Sequence, residues 1–140
     1  MEIIIVLILV TIILLRELRY NQSQQRKRDF IAYYCSISWE LASLRDKIVS
    51  YHKKYSRINP TDSFYLEIEE IVEKYLDHME NLAVAINLGL YDFKTYVRLE
   101  GILAKKIFMS LMSVINFQRQ DGRAHVLRDY IELMGKIKEN

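Results

Sequence analysis

Residues Ile3 to Leu15 are thirteen in a row without a charge, and Thr11 supplies their one hydroxyl. A helix that is apolar on every side has no face to give to water, so the segment must be buried in protein or in lipid. Nothing downstream offers a comparable apolar surface. The chain therefore reads as a membrane anchor over residues 1–20 and an anchored body over residues 21–140.

Length is the difficulty. Thirteen helical residues rise only ~20 Å, against a hydrocarbon core of ~30 Å. Runs this short also serve as core helices and as signal-peptide segments. Counting from Met1 to Tyr20 extends the rise to ~30 Å, with Leu18 and Tyr20 at the interface and the stems of Arg16 and Arg19 reaching outward. A cleaved signal needs a basic start and small residues at its cleavage site. Here Glu2 precedes the run and Arg16-Glu17-Leu18-Arg19 come directly after it. An N-terminal transmembrane helix is the expectation.

Charge gives the orientation. Residues 16–30 hold Arg16, Arg19, Arg26, Lys27 and Arg28 against Glu17 and Asp29, and basic residues stay on the cytoplasmic side. The expectation is a single-pass protein of the cell membrane, N-terminus outside and body cytoplasmic. Cys35 is the single cysteine, which suits a reducing compartment and reads as a small buried helix residue.

One proline and four glycines in 140 residues is a helical composition with few turn-formers. A net charge of +2 conceals segregation. Residues 16–60 carry ten basic and four acidic groups, residues 61–100 three and nine, and residues 101–140 seven and four. Neighbouring antiparallel helices of opposite charge are one consequence. Attraction of the basic cluster to anionic lipid, at about 1 kcal/mol per residue, is another. The acidic middle argues against nucleic acid as a partner.

From Phe30 the apolar residues Phe30, Tyr34, Ile37, Leu41, Leu44, Ile48, Tyr51 and Tyr55 alternate steps of four and three. This heptad stripe predicts a helix over about 22–57, packed in a bundle or self-associating through Phe30, Tyr34, Ile37, Leu41, Leu44 and Ile48. Tyr33 and Trp39 are expected to broaden its apolar face. Pro60 ends the helix, and Thr61, Asp62 or Ser63 can cap the next. A second helix is predicted over about 64–87, with Glu67, Glu69, Glu70 and Glu73 near its start. A third is predicted over about 93–118 with Tyr96, Val97, Ile102, Leu103, Ile107, Leu111, Val114 and Ile115 inward, and a fourth over about 123–137. The fold class is all-α: an anchor and then an antiparallel bundle of about four helices.

The block Tyr75-Leu76-Asp77-His78-Met79-Glu80, continuing to Gly89-Leu90-Tyr91-Asp92, resembles the signature of a family of small bacterial and phage proteins known only as a domain of unknown function. Members pair a membrane helix with a helical domain carrying a Tyr-Leu…Glu…Ala…Gly-x-Tyr-Asp block, an Arg (here Arg119) and a final Tyr-bearing helix (here Tyr130). The resemblance implies fold and topology without an established activity. Some membrane-anchored phage proteins of this general build act in superinfection exclusion, which implies a membrane or cytoplasmic protein partner. Residue by residue the block is structural: Gly89 permits a left-handed helix end, Asp92 caps the next helix, and Tyr91 packs over the turn. Glu80 is expected to bond a tyrosine, Arg98 or Arg119 and to tie helices together.

Catalytic sets are scarce. The Glu-x-x-His pairs of di-iron bundles are absent. Asp121, His125 and Asp129 share a spacing of four that would place them on one helical face, although such residues opposite Leu127 and Tyr130 are normally solvated. No metal, cofactor or small-molecule substrate is expected. Arg119 with His125 six residues on resembles the Arg-x4–6-His motif of HEPN ribonucleases, in which His is acid or base and Arg steadies phosphate. The leading expectation is a non-enzymatic, membrane-anchored interaction protein; the alternative is a tethered HEPN-like nuclease using Arg119 and His125.

Overall fold

The polar neck does not interrupt the first helix. In the computed structural model, which describes residues 1–138, α1 runs unbroken from Glu2 to Tyr55, 54 residues. At 1.5 Å per residue that is a rod of ~80 Å. Asn21 to Gln25 contain no glycine or proline to stop it. It ends where Ser56 adopts φ 60° and donates its N–H to the His52 carbonyl at 2.8 Å.

The chain then folds back. A short 3-10 turn, Ser63–Glu67, leads into α2, Glu69–Asn87. Asp62 stands at the start of the turn without a side-chain cap, because its carboxylate accepts both Nε and Nη2 of Arg57 at 2.9 Å. α2 closes in a Schellman motif: Gly89 at φ 76° donates to Ile86 and Leu90 donates to Ala85. Asp92 caps α3, Phe93–Tyr96, by accepting from the backbone N–H and hydroxyl of Thr95. Both turn roles read from the sequence hold.

The predicted third helix is a segmented rod: α3, a π-helical turn Val97–Gly101, α4 Ile102–Ser110, and α5 Met112–Gln118 after a break at Leu111. The π turn inserts one residue and moves the buried stripe with it. Residues Tyr96, Glu100, Ala104, Ile107 and Leu111 point inward, while Ile102 and Leu103 face out. That corrects the inward placement of Ile102 and Leu103, which assumed an uninterrupted α-helix.

The last helix is shorter than its apolar pattern suggests. Asp121 and Gly122 take φ 56° and 79°, Leu127 takes φ 57°, and α6 spans only Arg128–Lys136. Asp121 and His125 therefore lie in an irregular turn, not on a helical face with Asp129.

Contacts define the topology. Tyr55 meets Phe64, His78 meets Glu40, and Tyr33 meets Tyr91, so α1 and α2 are antiparallel. Phe30 touches Tyr96, and Ile48 and His52 share a hollow with Ile107 and Ser110, so the third rod runs parallel to α1. Glu80 reaches Tyr130 and Asn87 reaches Lys136, which sets α6 parallel to α2. The body is an up-and-down four-rod bundle. Its buried core runs from Phe30 through Leu41, Ile48, Tyr75, Leu76, Met79, Leu82, Leu111, Ile115, Tyr130 and Leu133. The heptad stripe of α1 is taken up by this core. Tyr33 joins it, but Trp39 is 89% exposed and does not; Cys35, expected to be buried, is exposed too, because it lies off the stripe of Tyr34 and Ile37.

The bundle holds only part of α1. Every residue from Met1 to Gln22 is exposed, and the rod projects ~30 Å beyond its partners. Among the described residues, no helix is long and apolar enough to cross a membrane; Glu2 and the Arg16–Arg19 charges bound the apolar run closely. The expected full span therefore requires residues beyond that run.

Candidate functional site

The polar centre of the bundle is a set of residues that the heptad pattern passes over. Arg45 and Glu100 are buried at 8% and 6% exposure and pair directly, Nη1 to Oε2. The Tyr34 hydroxyl donates to the other Glu100 oxygen. α1 carries Tyr34 and Arg45, while the π turn swings Glu100 into the core stripe between Tyr96 and Ala104. Gly101 completes the turn: a Cβ there would meet Val97 Cγ1 at 3.1 Å.

Two buried phenols, Tyr75 and Tyr96, lie near this pair, and a third, Tyr130, lies beside them. The hydroxyls of Tyr75, Tyr96 and Tyr130 are buried without a hydrogen-bond partner among the described residues. Burial, and then mutual repulsion and that of Glu100, raises the Tyr96 pKa well above its ordinary value. Burial likewise raises Tyr75 and Tyr130, which lie near enough to influence one another. Burial alone would disfavour the Arg45 charge, but the hydrogen bond and charge of Glu100 outweigh it and hold the guanidinium proton more tightly than usual. A buried carboxylate paired with arginine and flanked by neutral phenols is a proton-retaining cluster. Both Glu100 oxygens are engaged, so the arrangement fixes register and presents no free base.

Each residue singled out from sequence has a place. Tyr75 is in the phenol set. Glu80 accepts the backbone N–H groups of Tyr130 at 2.8 Å and Asp129 at 3.4 Å. It does tie helices together, by capping α6 and not by bonding a tyrosine hydroxyl, Arg98 or Arg119. Gly89, Tyr91 and Asp92 form the α2–α3 turn, with Tyr91 stacked on Tyr33 at 5.4 Å. Partial burial opposes ionisation of Asp92, but the Thr95 hydrogen bonds outweigh it, with Lys27 and Lys94 adding, and hold its carboxyl below the usual value. Arg16, Arg19, Arg26 and Arg28 are exposed along α1, and Lys27 is half-buried.

The candidate nuclease pair is differently employed. Arg119 donates both Nε and Nη2 to the Ala124 carbonyl, closing the turn, and His125 is exposed on that turn. No cluster of His, Cys, Asp and Glu able to hold a metal occurs among the described residues; Asp129 bonds the Asn87 side chain. A surface hollow of about 500 Å³ lies between Ile102, Lys105, Met109 and Ile137. Its Lys105 ammonium donates to the Met134 carbonyl, and its Ser110 hydroxyl to Lys106. Both serve helix ends and turns.

Arg45 and Glu100 were detectable in principle. Arg45 falls four residues after Leu41 and three before Ile48, and Glu100 four after Tyr96, so each stands in a core stripe with opposite charge. Comparison with protein-family models, with curated proteins and with solved structures finds no match for this chain.

Proposed function

We propose that this protein is a membrane-anchored helical interaction module without catalytic chemistry of its own, its apolar run held in lipid and its bundle presented at the inner face. The observation that carries the reading is the free first third of α1. Every side chain from Ile3 to Leu15 is solvent-facing in the isolated chain. With each side chain roughly half exposed, hydrating the run costs on the order of 10–20 kcal/mol. Contiguous apolar patches of this kind mark interaction or membrane surfaces. Thr11 suits such a setting, since its hydroxyl donates to the Leu7 carbonyl at 2.7 Å and so leaves no unpaired donor. Arg16 and Arg19 sit at the inner headgroups, and local bilayer thinning accommodates the short run.

The interaction half rests on the core, where Arg45, Glu100 and Tyr34 are spent on one another, leaving a rigid body for recognition and no free catalytic base. By its build, an N-terminal anchor on a small helical body like that of some phage proteins that act in superinfection exclusion, that recognition serves exclusion of a second phage genome. Protease added to spheroplasts should spare the bundle, while protease added to broken vesicles digests it; digestion outside intact spheroplasts would reverse the orientation. Expressing cells challenged with phage should adsorb particles normally yet block DNA entry, and unaltered entry and plating would remove the exclusion role.

A further inference from the structure

The fold leaves two leucines at the end of the bundle that faces the free rod. Leu88 and Leu90 are 70% and 58% exposed, on either side of Gly89 in the α2–α3 turn. Tyr91, stacked on Tyr33 and 6.0 Å from Phe30, pins that turn to α1 at the point where the rod leaves the bundle. Basic residues gather at the same end: Arg26, Lys27 and Arg28 on α1, Lys94 on α3, and Lys136 and Lys138 around the end of α6, where Lys136 Nζ bonds the Asn87 side chain at 3.1 Å. Among the described residues, three acidic groups share that end with these six basic ones and leave it net positive. Asp92 accepts from Thr95, Asp29 from Gln25 at 2.7 Å, and Glu132 pairs with Lys136 at 3.1 Å.

We infer that this end of the bundle seats on an anionic bilayer surface, with Leu88 and Leu90 entering the headgroup layer and the surrounding lysines and arginines meeting acidic headgroups. The inference rests on the reading of residues 1–20 as lipid-inserted. With Leu18 and Tyr20 at the hydrocarbon edge, Lys27 stands ~10–14 Å further along α1. The headgroup layer fills about 5–8 Å of that, and a helix tilt of ~40° toward the turn, the upper end of the usual range, lowers a neighbouring helix end by ~6 Å and so carries Leu88 and Leu90 into it. The unbroken α1 makes the seating consequential. A rod without a hinge transmits the tilt to the whole bundle, so lipid contact fixes which face the bundle offers to a partner.

The test uses the full chain carrying Cys35→Ser and a single nitrobenzoxadiazole-labelled cysteine at Leu9, Leu90 or Gln120. Each variant is reconstituted in phosphatidylcholine vesicles with or without about one-third phosphatidylserine. Headgroup-level nitroxide lipids should quench the Leu90→Cys probe in the anionic vesicles and leave the Gln120→Cys probe, at the far end of the bundle, unquenched. Lys27→Gln and Lys94→Gln should each weaken the seated population about fivefold. Equal quenching at 90 and 120, or quenching at 90 indifferent to phosphatidylserine, overturns the seating while acyl-level quenching at Leu9→Cys upholds the anchor. Loss of quenching at Leu9→Cys as well places the failure in the anchor.

Discussion

The Glu80 carboxylate accepts the backbone N–H of Tyr130 at 2.8 Å, joining two helices fifty residues apart. α6 begins after Leu127 in a left-handed conformation that supplies no side-chain cap, and an acid on α2 performs that task from across the bundle. Negative charge at a helix start also meets the positive end of the helix dipole. Glu80→Ala should therefore destabilise the protein by about 1–2 kcal/mol. Amide exchange should accelerate first in residues 128–136, and Glu80→Gln should recover part of the loss. Uniform acceleration over the whole bundle would show that Glu80 does not act at α6.

The Arg45–Glu100 pair makes a different prediction. Removing one partner strands the other charge in the core, at a cost of about 3–5 kcal/mol, whereas replacing both by apolar residues is close to neutral. Glu100→Leu and Arg45→Met should each lower the urea midpoint steeply, and the double variant should lie nearer the parent than either. An additive double variant would mean that the two groups do not interact.

Alkaline pH should unfold the bundle before most proteins of its composition. Tyr65 is raised to about 12, by burial first and then by Glu69 and Glu73. Tyr75, Tyr96 and Tyr130 are raised further by burial. The folded pKa exceeds the unfolded value of 10.0, so the stabilisation is complete below pH 10 and is lost as pH climbs toward 12 and beyond. Ultraviolet titration of the ten tyrosines should show an early class and a late class that ionises together with loss of helical circular dichroism. A single transition near pH 10 would contradict the buried cluster.

Two glycines should respond oppositely to alanine. Gly89 sits at φ 76° with no atom within 4 Å of where a β-carbon would stand, so Gly89→Ala costs only backbone strain, about 1–2 kcal/mol. Gly135 lies in α6 with equally open space and a helical backbone, and Gly135→Ala should stabilise by roughly 0.5–1 kcal/mol. Thermal melts of the two variants check both signs.

Much of this architecture was legible because it depends on local rules. The steps from Phe30 to Tyr55 placed the inner face of α1, Pro60 marked the first reversal, and Gly89 with Asp92 marked the second. What escaped was decided by distant neighbours. The π turn at Val97–Gly101 carries Glu100, which pairs with Arg45 and Tyr34 across the core; spacing places each charge in a stripe, but the turn itself has no period along the chain to announce it. Leu127 is left-handed and α6 starts only after it, capped by Glu80 from another helix, so an apolar pattern beginning at Arg123 overstated that helix. Trp39 shows the converse: a large aromatic near a buried stripe need not join it when Glu40 on the neighbouring position already faces His78 of α2.

Vesicle flotation of the full chain decides whether residues 1–20 are held in lipid. The protein should rise with the vesicles and resist both high salt and alkaline carbonate, while Ile8→Lys with Ile12→Lys should leave a folded bundle at the bottom of the gradient. A parent chain that stays at the bottom as a soluble oligomer, its apolar rods packed on one another, would show that protein and not lipid covers the run.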